Sequence, residues 1–148
     1  MRLANDVNYA GDVSAVEAYQ VLQYDAASRL VDVRTKAEWT YVGAPLLEGL
    51  GRSPLFLEWQ SFPSMEVDAA FCNRLAEILE AAGAERGSRL LFICRSGARS
   101  RQAAIAMTKA GWGPCFNVVD GFEGPLDSSR HRGAAGGWKA AGLPWIQT

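Results

Sequence analysis

Apolar residues along this chain recur first at a helical spacing, then in short unbroken runs, and the alternation predicts helices and strands in turn. Val13, Val16, Val21 and Leu22 follow an approximately helical period. Ser14 followed three residues on by Glu17 reads as a reciprocal cap, so a helix is expected from about Ala15 to Tyr24. Leu30-Val31-Asp32-Val33 is a short β-branched run and reads as a buried strand. Thr35 is placed to cap a short helix carrying Glu38 and Trp39. A loop-rich stretch from Gly43 to Pro54 leads to a second strand over Leu55–Trp59. Phe71, Leu75, Ile78, Leu79 and Ala82 mark a helix within Asp68–Ala82, ended by Gly83 or Gly87. Leu90–Ile93 is the most strand-like run. A helix from about Ser100 to Ala110, a strand over Cys115–Val119, a glycine-rich segment from Gly121 to Gly137 and a short helix around Trp138–Ala141 follow. Strands alternating with helices imply a mainly parallel sheet flanked by helices on both faces. Ligands in such folds bind beyond the carboxyl ends of the strands, which points to the loop after Ile93.

Composition narrows the function. The length of 148 residues suits one domain over 1–148, with its core at about 13–146. Fifteen Lys and Arg against sixteen Asp and Glu leave a net charge of −1, so no basic field for nucleic acid is expected. An aromatic content of 10% argues against disorder. The longest strongly apolar run, Leu90 to Cys94, is far short of the roughly 20 residues that cross a bilayer. The opening MRLANDVNYAGDVS has no apolar core of a secretory signal, which makes a cytoplasmic location the expectation. Cys72, Cys94 and Cys115 are a poor disulfide framework. With the single His131 they make no convincing zinc site, and neither a metal nor a cofactor is expected. A reacting thiol here would need an activator other than histidine.

Cys94 is the thiol placed for chemistry. It ends the Leu90 strand, and Arg95, Ser96, Gly97, Ala98 and Arg99 carry the chain into the next helix. Successive backbone N–H groups in such a turn curl around an anion, and the following helix adds its positive end. A thiol there is expected to ionise readily and to be reactive. Cys72, in a helix, and Cys115, at a strand start, read as core residues. The arginines have two readings: they attract an anionic substrate, or they turn away and fix the loop through a carboxylate. Ser96 and Ser100 are candidate donors to the thiolate or to loop carbonyls, and Ser100 reads equally as a helix cap.

CRSGARS after LLFI resembles the active-site loop of the rhodanese-like sulfurtransferases. LVDVRTKAEW resembles that family's early Asp-x-Arg segment, NVVDGFEG its last strand and glycine turn, and GGWKAAGLPW its terminal helix. The resemblance implies a rhodanese-like three-layer fold and a persulfide on Cys94. The sulfane sulfur would come from thiosulfate or a persulfide donor and pass to cyanide, a thiol or a protein acceptor, with no nucleic acid or membrane involved. It also implies that Asp32 and Arg34 support the loop. Cys94 through Arg99 makes a six-residue loop. The family's sulfurtransferases share that length, whereas phosphatases of the same scaffold carry seven. A phosphatase or arsenate reductase, and a sulfur carrier serving one protein partner, remain the alternatives.

Two departures from the family's pattern mark the chain. No histidine follows the acidic-aromatic segment, and Trp59, Gln60 and Phe62 sit in a longer path where they either wall the site or, for Trp59, join the core. Pro125 to Ala135 looks like an insertion in the glycine turn, expected at the catalytic edge. Arg130, His131 and Arg132 there either help choose the substrate or belong to a solvated loop.

Overall fold

A computed structural model describes residues 8–61 and 63–147. The elements in chain order are β1 (Gly11–Val13), α1 (Ala15–Tyr24), β2 (Arg29–Asp32), α2 (Lys36–Tyr41), β3 (Ala44–Pro45), β4 (Leu55–Phe56), β5 (Gln60–Ser61), β6 (Glu66–Val67), α3 (Phe71–Ala81), β7 (Leu90–Ile93), α4 (Ala98–Lys109), β8 (Cys115–Val118), α5 (Gly137–Ala140) and β9 (Trp145–Ile146). Five strands form one parallel sheet in the order β1-β8-β7-β2-β4. Two small antiparallel ribbons, β3 with β9 and β5 with β6, lie outside it.

Alternate residues of the buried strands feed the two faces. Val31, Leu90, Phe92 and Cys94 join Phe71, Leu75 and Leu79 of α3 and Ala103, Ala104 and Met107 of α4 in one cluster. Leu30, Leu91 and Ile93 join Ala15, Ala18 and Leu22 of α1 and Trp138 of α5 in the other. The result is the three-layer α/β arrangement that the alternating pattern predicts. Among the described residues no helix is long and apolar enough to cross a membrane.

Several boundaries differ from the pattern. The capping box of α1 is present, with Ser14 and Glu17 bonded reciprocally at 2.8 and 3.0 Å. Its buried face, however, is Ala15, Ala18 and Leu22, while Val16 is 45% exposed. Alanine packs close to the sheet, and valine on the outer side of a helix need not be buried. Of the expected second strand, Leu55–Phe56 pair in register with β2, and beyond them the Leu57 and Trp59 N–H groups donate to the Asp32 and Val33 carbonyls at 3.1 and 3.2 Å. Trp145 and Ile146 pair with β3 through β9 and remain exposed. In α4 the helix begins at Ala98 with Gly97 as its N-cap, so Ser100 lies inside the first turn and is not the cap.

Candidate active site

Cys94 leaves β7 at its carboxyl end and is 1% exposed. The chain then turns through Gly97, at φ 105°, into α4. A side chain at that φ would be strained, and a Cβ on Gly97 would run into the Val119 carbonyl. The glycine turn after β8 clasps the loop from the other side. Phe122 N–H donates to the Cys94 carbonyl at 2.8 Å, and Glu123 and Gly124 N–H donate to the Arg95 carbonyl at 3.0 and 3.2 Å. Gly121 permits this approach, since a Cβ there would meet the Arg95 carbonyl. The loop carbonyls are thereby held on one side. Among the described residues the N–H groups of Arg95, Ser96, Ala98 and Arg99 donate no hydrogen bond. The first N–H groups of a helix have no partner within it.

The sulfur receives two polar contacts. Gly97 N–H donates to Cys94 Sγ at 3.2 Å, and Ser100 Oγ lies 3.2 Å from it. The other two thiols differ. Burial pushes Cys115 up to about 11, against a smaller lowering effect of Thr108, and burial also raises the half-buried Cys72. All three cysteines are free. Among the described residues no cluster of His, Cys, Asp and Glu is arranged to hold a metal ion.

A cleft of about 340 Å³ lies at this loop, lined by Cys94, Arg95, Ser96, Ala98, Arg99, Glu38, Gln60 and Met65. A larger hollow, about 680 Å³, lies over α1 beside Tyr24 and Arg89 and is lined by no cysteine. The two loop arginines have separate duties. Arg99 is bound by the Glu38 carboxylate through both terminal nitrogens, at 2.6 and 2.9 Å, and so fixes the loop to α2. Arg95 is exposed, lines the cleft and has no carboxylate partner among the described residues.

Asp32 and Arg34 pair with each other, Arg34 also reaches the Gly43 carbonyl, and neither lines the cleft. Ser96 lines it without a side-chain hydrogen bond among the described residues. Gln60 walls it, with its Nε2 donating to the Met65 carbonyl at 2.9 Å, while Trp59 packs edge-on against Phe71 in the core. Phe62 lies outside the described residues. Arg130, His131 and Arg132 are absent from the lining, because Asp127 folds the insertion on itself through the N–H groups of Ser129 and His131. Sequence reasoning missed Met65, which lines the wall in a left-handed conformation at φ 57°. It also missed Glu38 as the loop's anchor, although an acid at the third position of a cap is visible in the chain.

Glu38 makes a measurable difference with pH. Burial alone would raise its carboxyl, but the hydrogen bonds and charge of Arg99 and the Thr35 N–H outweigh burial and hold it below the ordinary 4.5. A carboxyl lowered in the folded state stabilises fully above its unfolded value and loses that contribution as pH falls through the folded one. Glu38→Gln is therefore expected to cost about 1 kcal/mol at neutral pH. Wild type and variant should converge in thermal midpoint as pH falls below 4.5 and the lowered carboxyl takes up its proton. A gap that persists there would assign the loss to packing.

No protein-family model matches the chain. It is 35% identical over 134 residues to the uncharacterized protein RP600 homolog of Rickettsia rickettsii, covering 90% of this chain and 95% of that one. Rv0390 from M. tuberculosis superposes with a TM-score of 0.82 at 44% identity, over 95% of this chain and 99% of that one. The polysulfide-sulfur transferase of Wolinella succinogenes shares the fold, with a TM-score of 0.57 at 19% identity, over 95% of this chain and 80% of that one. A segment of rhodanese-like domain-containing protein 4, a chloroplast protein of Arabidopsis thaliana, is 27% identical over 137 residues, 93% of this chain and 26% of that protein.

Proposed function

The chain belongs to the family that contains the RP600 proteins of Rickettsia and Rv0390 and has the rhodanese-like fold, and on that footing we propose that it is a sulfurtransferase working through a Cys94 persulfide. The observation that carries this reading is a buried cysteine that lines a cleft at the end of a parallel strand, its sulfur contacted by the Gly97 N–H in a loop whose neighbouring N–H groups donate to no acceptor among the described residues. Such donors stabilise negative charge on sulfur, much as an oxyanion hole stabilises a developing oxyanion.

The Cys94 thiolate attacks the outer sulfur of thiosulfate. A bond forms between Sγ and that sulfur, the sulfur–sulfur bond of the donor breaks, and sulfite leaves with the electron pair. A nucleophilic acceptor, cyanide or a thiol, then attacks the outer sulfur. The bond to Sγ breaks and the thiolate returns. Two half-reactions of this kind give ping-pong kinetics. Arg95 attracts the anionic donor to the mouth of the cleft, and Arg99 keeps the loop in place through Glu38. The fold and the distant transferase likeness support the reaction class. The six-residue loop supports sulfur rather than phosphoryl transfer.

Peptide-resolved mass spectrometry after thiosulfate treatment tests the reading. It is expected to show one added sulfur on Cys94, released by cyanide as thiocyanate. Sulfur on Cys72 instead would overturn the assignment of the nucleophile. Hydrolysis of an aryl phosphate with no persulfide would favour phosphoryl chemistry.

A further inference from the structure

We propose that Asn117 and Asp12 are positioning residues that govern where the Ser100 hydroxyl proton points, and through it how readily Cys94 gives up its own proton. The proposal rests on the reading of Cys94 as the nucleophile. Ser100 Oγ lies 3.2 Å from Cys94 Sγ and 2.6 Å from Asn117 Oδ1. A hydroxyl has one proton, and an amide oxygen only accepts. The 2.6 Å contact therefore uses that proton. So would a hydrogen bond to a thiolate. With Cys94 protonated, its S–H donates to Ser100 Oγ and the Ser100 O–H donates to Asn117. With Cys94 ionised, the Ser100 hydroxyl must turn to the sulfur, and the buried Asn117 oxygen loses its donor. Loop amides favour the anion; this chain of bonds works against it, and their difference sets the thiolate fraction.

Asp12 decides the direction of the chain. Asn117 Nδ2 donates to Asp12 Oδ1 at 3.2 Å. A carboxylate only accepts, so it holds the amide with Nδ2 toward itself and Oδ1 toward Ser100. Were the amide reversed, Nδ2 would donate to Ser100 Oγ, and the hydroxyl proton would be free for the sulfur at all times. The positions are built in. Asp12 and Asn117 are register partners on β1 and β8, and Tyr9 O–H donates to the same Asp12 oxygen at 2.9 Å. Asn117 is 2% exposed while Asp12 is at the surface, so the bonds run from the buried sulfur to the edge of the sheet.

Among the described residues the charged groups near Cys94 are Arg95 and Arg99 of the loop, Glu38 of α2 paired with Arg99, the Asp32–Arg34 pair at the end of β2, and Asp120 and Glu123 in the turn that clasps the loop. Asp12→Ala alters none of them. It frees Asn117 to turn over, and the pH midpoint of Cys94 alkylation, read by peptide-resolved mass spectrometry, is expected to fall by about half a unit to one unit. Ser100→Ala supplies the reference in which the chain is broken at the sulfur. In Asp12→Ala/Ser100→Ala the Asp12 effect should vanish, because the hydroxyl that transmits it is gone. The same downward shift persisting without Ser100 would mean that Asp12 acts only through its charge, and would overturn the proposal. So would an unmoved midpoint in a folded Asp12→Ala protein. Neither result bears on whether Cys94 carries sulfur, which persulfide formation reports separately.

Discussion

Cys94→Ser is expected to lower turnover of thiosulfate and cyanide by about 10³-fold or more. The substitution replaces one atom and keeps the shape. Serine oxygen would still accept from Gly97 N–H and still neighbour Ser100. What disappears is a soft, polarisable nucleophile; among the described residues a serine hydroxyl there has no histidine beside it to remove its proton. Histidine is the usual base, and His131 lies in the self-folded insertion outside the cleft lining. The thermal midpoint should move little, by the equivalent of about 1 kcal/mol. Loss of activity with an intact fold would separate chemistry from structure. A variant that kept a tenth of the activity would place the reacting sulfur elsewhere.

The loop between β7 and α4 was legible because its cues are local. A buried four-residue strand, a cysteine, a glycine and two arginines lie within one short stretch of chain, and such a junction has few uses in a core. The caps of α1 and α2 were legible for the same reason: Ser14 with Glu17, and Thr35 ahead of Glu38, are patterns spanning four residues. The division of labour between Arg95 and Arg99 was not. It depends on Glu38, which stands 61 positions from Arg99, and nothing in the spacing of either residue states that they meet. Asn117 left a fainter signal, a single amide in an otherwise apolar strand. Its partners Ser100 and Asp12 come from α4 and β1, and β1 is too short for periodicity to reveal. The β5–β6 ribbon that brings Gln60 and Met65 to the cleft is likewise two residues per strand. The insertion failed to reach the cleft for a plain physical cause: one carboxylate, Asp127, satisfies the loop's own N–H groups.

Asp32→Ala is expected to cost about 3–5 kcal/mol, the largest loss of stability from any single change near the site. Both members of the Asp32–Arg34 pair are 0% exposed. Asp32 accepts from Arg34 Nε at 3.0 Å, from Nη2 at 2.8 Å and from the Arg34 backbone N–H at 3.1 Å. Nη2 also donates to the Gly43 carbonyl, and the guanidinium lies 4.3 Å from the centroid of the Phe122 ring. Nη1 already lacks a partner among the described residues. Remove the carboxylate, and a group that cannot shed its charge is left in a dry interior with a carbonyl and a ring face for company. The thermal midpoint should fall on the order of 10 °C. Removing both charges together, as Asp32→Leu with Arg34→Met, should recover most of the loss, because the cost lies in the unpaired ion rather than in the missing pair. A fall of only a degree or two in Asp32→Ala would mean that water reaches the guanidinium. The consequence for the site follows from the chain's path. Thr35 caps α2 directly after Arg34, and α2 carries the Glu38 that holds Arg99. The single variant should therefore lose turnover on warming before it unfolds, as the anchor of the loop loosens, and the double variant should keep turnover close to wild type over the same range.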